Sequence, residues 1–116
     1  MAPMARLAAA FKRLGQEAAR PEYRGCPFVN AVAEFNDADH PAAARAIAYE
    51  ADRRAWLERV LREAGIREAA KLSRQLVALW YGAIVRALIT RKPSVIGEAA
   101  KAALVLVGAA GARGVP

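Results

Sequence analysis

Between Leu72 and Ile89 the chain is apolar on every side of a helix. Leu72, Leu76, Leu79 and Ala83 occupy one face, Val77, Trp80, Ile84 and Leu88 the next, and Ala78, Gly82, Val85 and Ile89 the third. Water stabilises no side of such a rod, so other elements must surround it. The spacing predicts a helix over about Glu68 to Thr90. Arg91-Lys92-Pro93 closes it, with cations at the negative end of the helix dipole. A chain of 116 residues makes one domain with length for about five helices.

The neighbours of this rod are helical too. Alanine fills roughly thirty positions while β-branched and aromatic residues are few, which favours helix over sheet. From about Met4 to Ala19, the residues Met4, Leu7, Phe11, Leu14 and Ala18 share one face, opposite Arg6, Lys12, Arg13 and Gln16. Pro21 ends that run. A short helix starts at Cys26-Pro27, with Phe28, Ala31, Val32 and Phe35 as its apolar stripe, and proline suits its first position. Asn36 to Pro41 is a loop that leads into the longest run, about Pro41 to Ala64. There Ala42, Ala46, Tyr49, Arg53, Trp56, Val60 and Ala64 form a seam, thickened by Leu57 and Leu61. Ala44, Ile47, Ala48, Ala51 and Ala55 form a second stripe. Two apolar sides predict that this helix crosses the middle of the bundle. Gly65 has the usual place of a glycine just past a helix end. A last helix is expected from Ser94 to about Val107, with Ile96, Ala99, Ala100, Ala103, Leu104 and Val107 on one side. From Gly108 onward a frayed tail is expected.

Apolar residues make up 56% of the chain and charged ones 25%, so disorder is excluded as a reading of the whole. The apolar stretches Leu76 to Val85 and Ala102 to Ala112 fall short of the roughly 18–20 residues that span a bilayer. Arg6 and Lys12 leave too short a stretch between them for a secretory signal. The expectation is a cytoplasmic chain with no membrane partner. The single cysteine agrees with a reducing compartment.

The last two helices carry more apolar surface than the first three can cover. Each buried Leu, Ile, Val or Trp stabilises by about 1.5–3 kcal/mol, so leaving several wet is unfavourable. The small residues Ala78, Gly82, Ala99 and Ala103 would let two such pairs approach closely. The expected assembly is a homodimer whose interface is a four-helix bundle, two helices from each chain. Its predicted interface residues are Leu79, Gly82, Ala83, Arg86, Ala99 and Ala103.

No nucleophile elbow, phosphate loop, dinucleotide fingerprint or HExxH motif occurs. No catalytic residue, metal ligand or cofactor is predicted. Cys26 at a helix start could have its thiolate stabilised there, and a small enzyme using it is the weakest of three functional readings. Asp37, Asp39, His40 and Glu34 have ligand chemistry, but Asp/Asn/Pro clusters are far more often loop and cap residues. The net charge of +7 invites nucleic acid. Yet Glu50–Arg54, Glu58–Arg62 and Glu63–Arg67 are i,i+4 pairs on a solvated face, and no residue is predicted to contact DNA. Arg53 and Arg86 are different, since each interrupts an apolar face. They either snorkel or pair with a carboxylate, or they act as charged anchors in an apolar pocket. The predicted pocket residues are Phe28, Tyr49, Arg53, Trp56 and Trp80.

The run Arg24-Gly25-Cys26-Pro27-Phe28-Val29-Asn30-Ala31-Val32-Ala33-Glu34-Phe35 is followed by Asp37-Ala38-Asp39-His40-Pro41, Trp56-Leu57 and Leu61-Arg62-Glu63-Ala64-Gly65. Over about residues 4 to 108 the chain resembles the C-terminal domain of a tetracycline-repressor-type (TetR family) transcriptional regulator. The resemblance implies an all-helical domain of five helices with a hydrophobic inducer pocket. It also implies that the last two helices build a dimeric four-helix bundle. Members carry an N-terminal helix-turn-helix domain that reads DNA and leads into the first helix here. That portion is absent from this sequence, so DNA is expected to be reached only through a domain this chain lacks. The expected function is effector sensing and dimerisation, with a small hydrophobic or amphipathic molecule as partner. The alternative is a structural dimerisation module without ligand that modulates a full-length paralogue.

Overall fold

The structure is a computed structural model that describes residues 1–113. Among them five helices follow one another and no strand occurs: α1 Pro3–Ala18, α2 Pro27–Phe35, α3 Pro41–Glu63, α4 Ala69–Thr90 and α5 Ser94–Ala109. The chain is all-α, as its periodicity predicts. Three helices begin at a proline, where the missing N–H removes a donor that would have no partner. His40 caps α3, its Nδ1 accepting from the Ala42 amide at 3.1 Å.

Gly65 ends α3 as expected, at φ +88°. The Ile66 amide donates to the Leu61 carbonyl at 3.1 Å and the Gly65 amide to Arg62 at 3.0 Å, the paired bonds of a Schellman motif. Ile66 is buried behind that turn. The same closure is repeated after α5. Ala112 donates to Val107 and Gly111 to Gly108, with Gly111 at φ +87°. The expected frayed tail is therefore corrected as far as Arg113, whose amide donates to the Ala64 carbonyl at 2.9 Å. Residues 114–116 lie outside the described residues.

α4 is the helix with the most buried positions, and it packs against α1, α3 and α5. Its length and composition would suit a membrane span, beyond what the stretch Leu76 to Val85 suggests by itself. Its residues Leu72, Leu76, Trp80 and Ile84 instead join Leu7 and Phe11 of α1, Leu57 and Leu61 of α3, and Ile96 of α5 in one core. Ser73, buried there, donates to the Ala70 carbonyl at 2.7 Å and so leaves no hydroxyl unmet.

Three expectations are corrected by this packing. α3 has neighbours in α1, α2 and α4, but its second stripe is not a buried face: it points outward, and Ile47 is 53% exposed. α3 flanks α4 and carries α2, which packs on no other helix and has no fully buried residue. The pair Glu63–Arg67 is not among the ion pairs of the described residues. The helix stops at Glu63, so i,i+4 geometry is lost, and Glu63 pairs with Arg6 of α1. Glu50–Arg54 and Glu58–Arg62 do form, at 3.4 and 3.2 Å. Finally, Ala83, Ala99 and Ala103, expected at an interface between chains, are buried in the chain's own core. Leu79 is half-buried, and Gly82 and Arg86 are exposed.

Candidate ligand cleft

Tyr49, Arg53 and Trp56 follow one another at spacings of four and three, which sets them on one face of α3. That face looks across a cleft of about 650 Å³ toward α1 and α4. Ala10, Arg13 and Leu14 line it from α1, and Trp80, Tyr81 and Ile84 from α4. The turn between α1 and α2 closes one end. There Tyr23 donates its hydroxyl to the Ile84 carbonyl at 3.0 Å, and Asn30 donates its amide to the Arg24 carbonyl at 2.9 Å. Gly25 makes this approach possible. It sits at φ +79°, and a Cβ there would lie 3.2 Å from Leu88 Cδ2.

Arg53 is the charged residue at the aromatic end. Its Nη2 donates to the Tyr49 hydroxyl at 2.7 Å. Its guanidinium carbon lies 5.1 Å from the Trp80 ring centroid and 5.5 Å from that of Tyr49, within cation–π range of both. Among the described residues no carboxylate is within ion-pair distance of it, and its buried Nε–H has no acceptor. Trp80 is held from behind by Phe11, edge to face at 5.0 Å.

Burial pushes the Tyr81 phenol up to about 12, with Cys26, Glu50 and Tyr49 adding to the rise and Arg53 opposing it. Burial also raises Tyr23, again with Cys26 contributing. Cys26 is half-buried as the cap of α2 and lines the cleft. The lining contains no histidine, and its one carboxylate, Glu17, lies 3.4 Å from Arg20. No base therefore stands beside the thiol among these residues. His40 is stacked on Phe35 at 3.8 Å and caps α3. Asp37 accepts from the Asp39 amide at 3.0 Å, which is loop chemistry. Among the described residues no three His, Cys, Asp or Glu side chains gather as a metal site.

Of the five residues expected in a pocket, Tyr49, Arg53, Trp56 and Trp80 line this cleft together. Phe28 does not. It stacks on the far side of Tyr49 at 4.1 Å and faces a shallow apolar groove between α2 and α3, lined also by Val32 and Ile47. Arg86, the other candidate anchor, is exposed and lies outside the cleft lining. Sequence reasoning missed Arg6, Arg13 and Tyr81. The arginines stand seven apart on what looks like a solvent face of α1, and only the alanines between them, Ala9 and Ala10, signal a wall.

A family model described as "tetracyclin repressor-like, C-terminal domain" matches residues 3–103 of the chain. No curated protein and no solved structure matches it.

Proposed function

The chain belongs to the tetracyclin repressor-like C-terminal domain family, a non-enzymatic regulatory family, and from that premise we propose that it senses a small effector and dimerises as part of a transcriptional regulator. The effector is a hydrophobic or amphipathic molecule, and the cleft between α1, α3 and α4 receives it. The observation that carries this reading is the convergence of Tyr49, Trp56 and Trp80 on one cleft beside Arg53. Such a site has the composition of small-molecule pockets, mostly apolar and aromatic walls with a few placed polar groups.

Sensing follows from the walls. α1, α3 and α4 each supply a wall of the cleft. In this family the DNA-reading domain leads into the helix corresponding to α1. A ligand that binds better when α1 stands slightly away from α4 shifts the population toward that packing, by no more than its differential affinity. Contact with an operator runs through a helix-turn-helix domain rather than through these five helices. Members of the family are soluble regulators, and the proposed compartment is the cytoplasm.

Dimerisation uses the surface of α4 and α5 that their own chain leaves uncovered. Gly82, Val85 and Ile89 of α4 are exposed, as are Ala102 and Val105 of α5. A thermal-shift screen of hydrophobic metabolites should find a stabilising compound. Trp56→Ala should weaken that compound about tenfold or more, as loss of an aromatic wall of 1.4 kcal/mol or above implies. Dimers that respond to no compound would support the structural-module alternative instead.

A further inference from the structure

We infer that the effector is an acid: a molecule with an apolar body and one carboxylate, which Arg53 receives. The inference rests on the cleft being the effector site and adds the charge of the ligand.

The guanidinium groups of this chain that have carboxylate partners show what Arg53 lacks. Arg6 pairs with Glu63, Arg20 with Glu22, Arg54 with Glu50 and Arg62 with Glu58. Among the described residues Arg53 has only the Tyr49 hydroxyl and two aromatic faces. Those contacts hold the charge in place without neutralising it. Its Nε–H is shut away from solvent without an acceptor, and an unmet buried donor is disfavoured. An oxyanion arriving through the cleft supplies the opposite charge to the Nη side of the guanidinium, and charge-assisted hydrogen bonds are the stronger kind.

The lining as a whole has the same sign. Arg6, Arg13 and Arg53 contribute three positive groups against the single carboxylate of Glu17, which already faces Arg20. A neutral effector would leave that imbalance in place. A phosphate would need several free donors at one spot, whereas Arg6 is engaged by Glu63 and Arg13 is exposed. Arg53 is the half-buried guanidinium of the lining without a carboxylate, and one carboxylate suffices to meet it. The remainder of the molecule lies along Trp56, Trp80 and Leu14, surfaces that reward an aromatic ring or an alkyl chain.

The test uses the full chain and matched acid–amide pairs: octanoate against octanamide, and 1-naphthoate against 1-naphthamide, titrated calorimetrically. The acids should bind at least about tenfold more tightly than their amides, the step that 1.4 kcal/mol of differential binding represents. Acid affinity should fall with added salt while amide affinity stays level. Arg53→Gln should abolish the acid preference, and Arg53→Lys should keep part of it. Should Arg53→Gln lose its helical circular dichroism, the acid–amide ratio and salt dependence of the unaltered chain decide alone. Amides that bind as well as acids, or an acid preference that survives Arg53→Gln in a folded protein, overturn the inference and leave the cleft as an effector site. Failure of every probe to bind overturns both.

Discussion

At the residue scale, helical spacing singled out Arg53, because it interrupts a seam between Tyr49 and Trp56, and left open whether it snorkels or anchors a ligand. The same periodicity hid Arg6 and Arg13, since a polar face that borders a cleft reads like one that borders water. Tyr81 was read as neither core nor wall, and its half-buried phenol carries a measurable consequence. Its folded value of about 12 lies above the ordinary 10.0, chiefly through burial. Folding therefore favours the neutral phenol. The associated stability is complete below pH 10 or so and is lost as the pH climbs through about 12, because the unfolded chain ionises first. Denaturation midpoints should fall over that window in the unaltered protein and fall less in Tyr81→Phe. Ultraviolet titration of tyrosinate should lose its latest-titrating component in the variant. A variant whose alkaline profile overlays the parent would show that Tyr81 is not buried in this way. The effect is modest, since the side chain is still partly in contact with water.

At the element scale, proline and glycine punctuation set most boundaries in advance. Pro27, Pro41 and Gly65 mark helix ends in the sequence, and the structure puts ends at those places. What could not be read was which helix leans on which. The second stripe of α3 has the pattern of a face between two neighbours, but α2 is too short to cover it. Hydrophobic periodicity reports that a face prefers burial, not whether length and topology provide a cover. α2 itself packs only on α3, and Val32 and Phe35 are 44% and 43% exposed. Low local burial means a low free energy of opening. Amide hydrogen exchange should therefore find α2 the least protected of the five helices and the centre of α4 the most. The proposed effector touches Cys26 and Pro27 at the start of α2, so its binding should slow exchange there. Equal protection in α2 and α4 would contradict the packing described above.

At the scale of the whole molecule, two apolar surfaces compete to be the dimer seam. One is the α2–α3 groove with Ile47. The other is the outer face of α4 and α5, where Ile89 and Val105 are 73% and 71% exposed. Aromatic and aliphatic side chains are available to both, so hydrophobicity does not choose between them. Helix geometry does. α4 and α5 pack against each other over 22 and 16 residues, and Gly82 has open space where a Cβ would be, which admits a close crossing. The α3 groove is interrupted by the short α2. The buried small residues Ala83, Ala99 and Ala103 then belong to the chain's own core, while Gly82, Val85 and Val105 are the residues proposed for the contact between chains. Light scattering of the unaltered protein should give twice the 12.4 kDa chain mass, with a melting temperature that rises with concentration. Val85→Glu combined with Val105→Glu sets four carboxylates into a symmetric seam and should yield monomers whose melting no longer depends on concentration. Ile47→Glu should leave the dimer intact. The reverse pattern, a dimer that survives the paired change and dissolves with Ile47→Glu, would move the seam to the groove beside α2. In that arrangement the partner would sit against Phe28 on the far side of Tyr49, and the Phe28–Tyr49 stack would pass effector binding directly from cleft to interface.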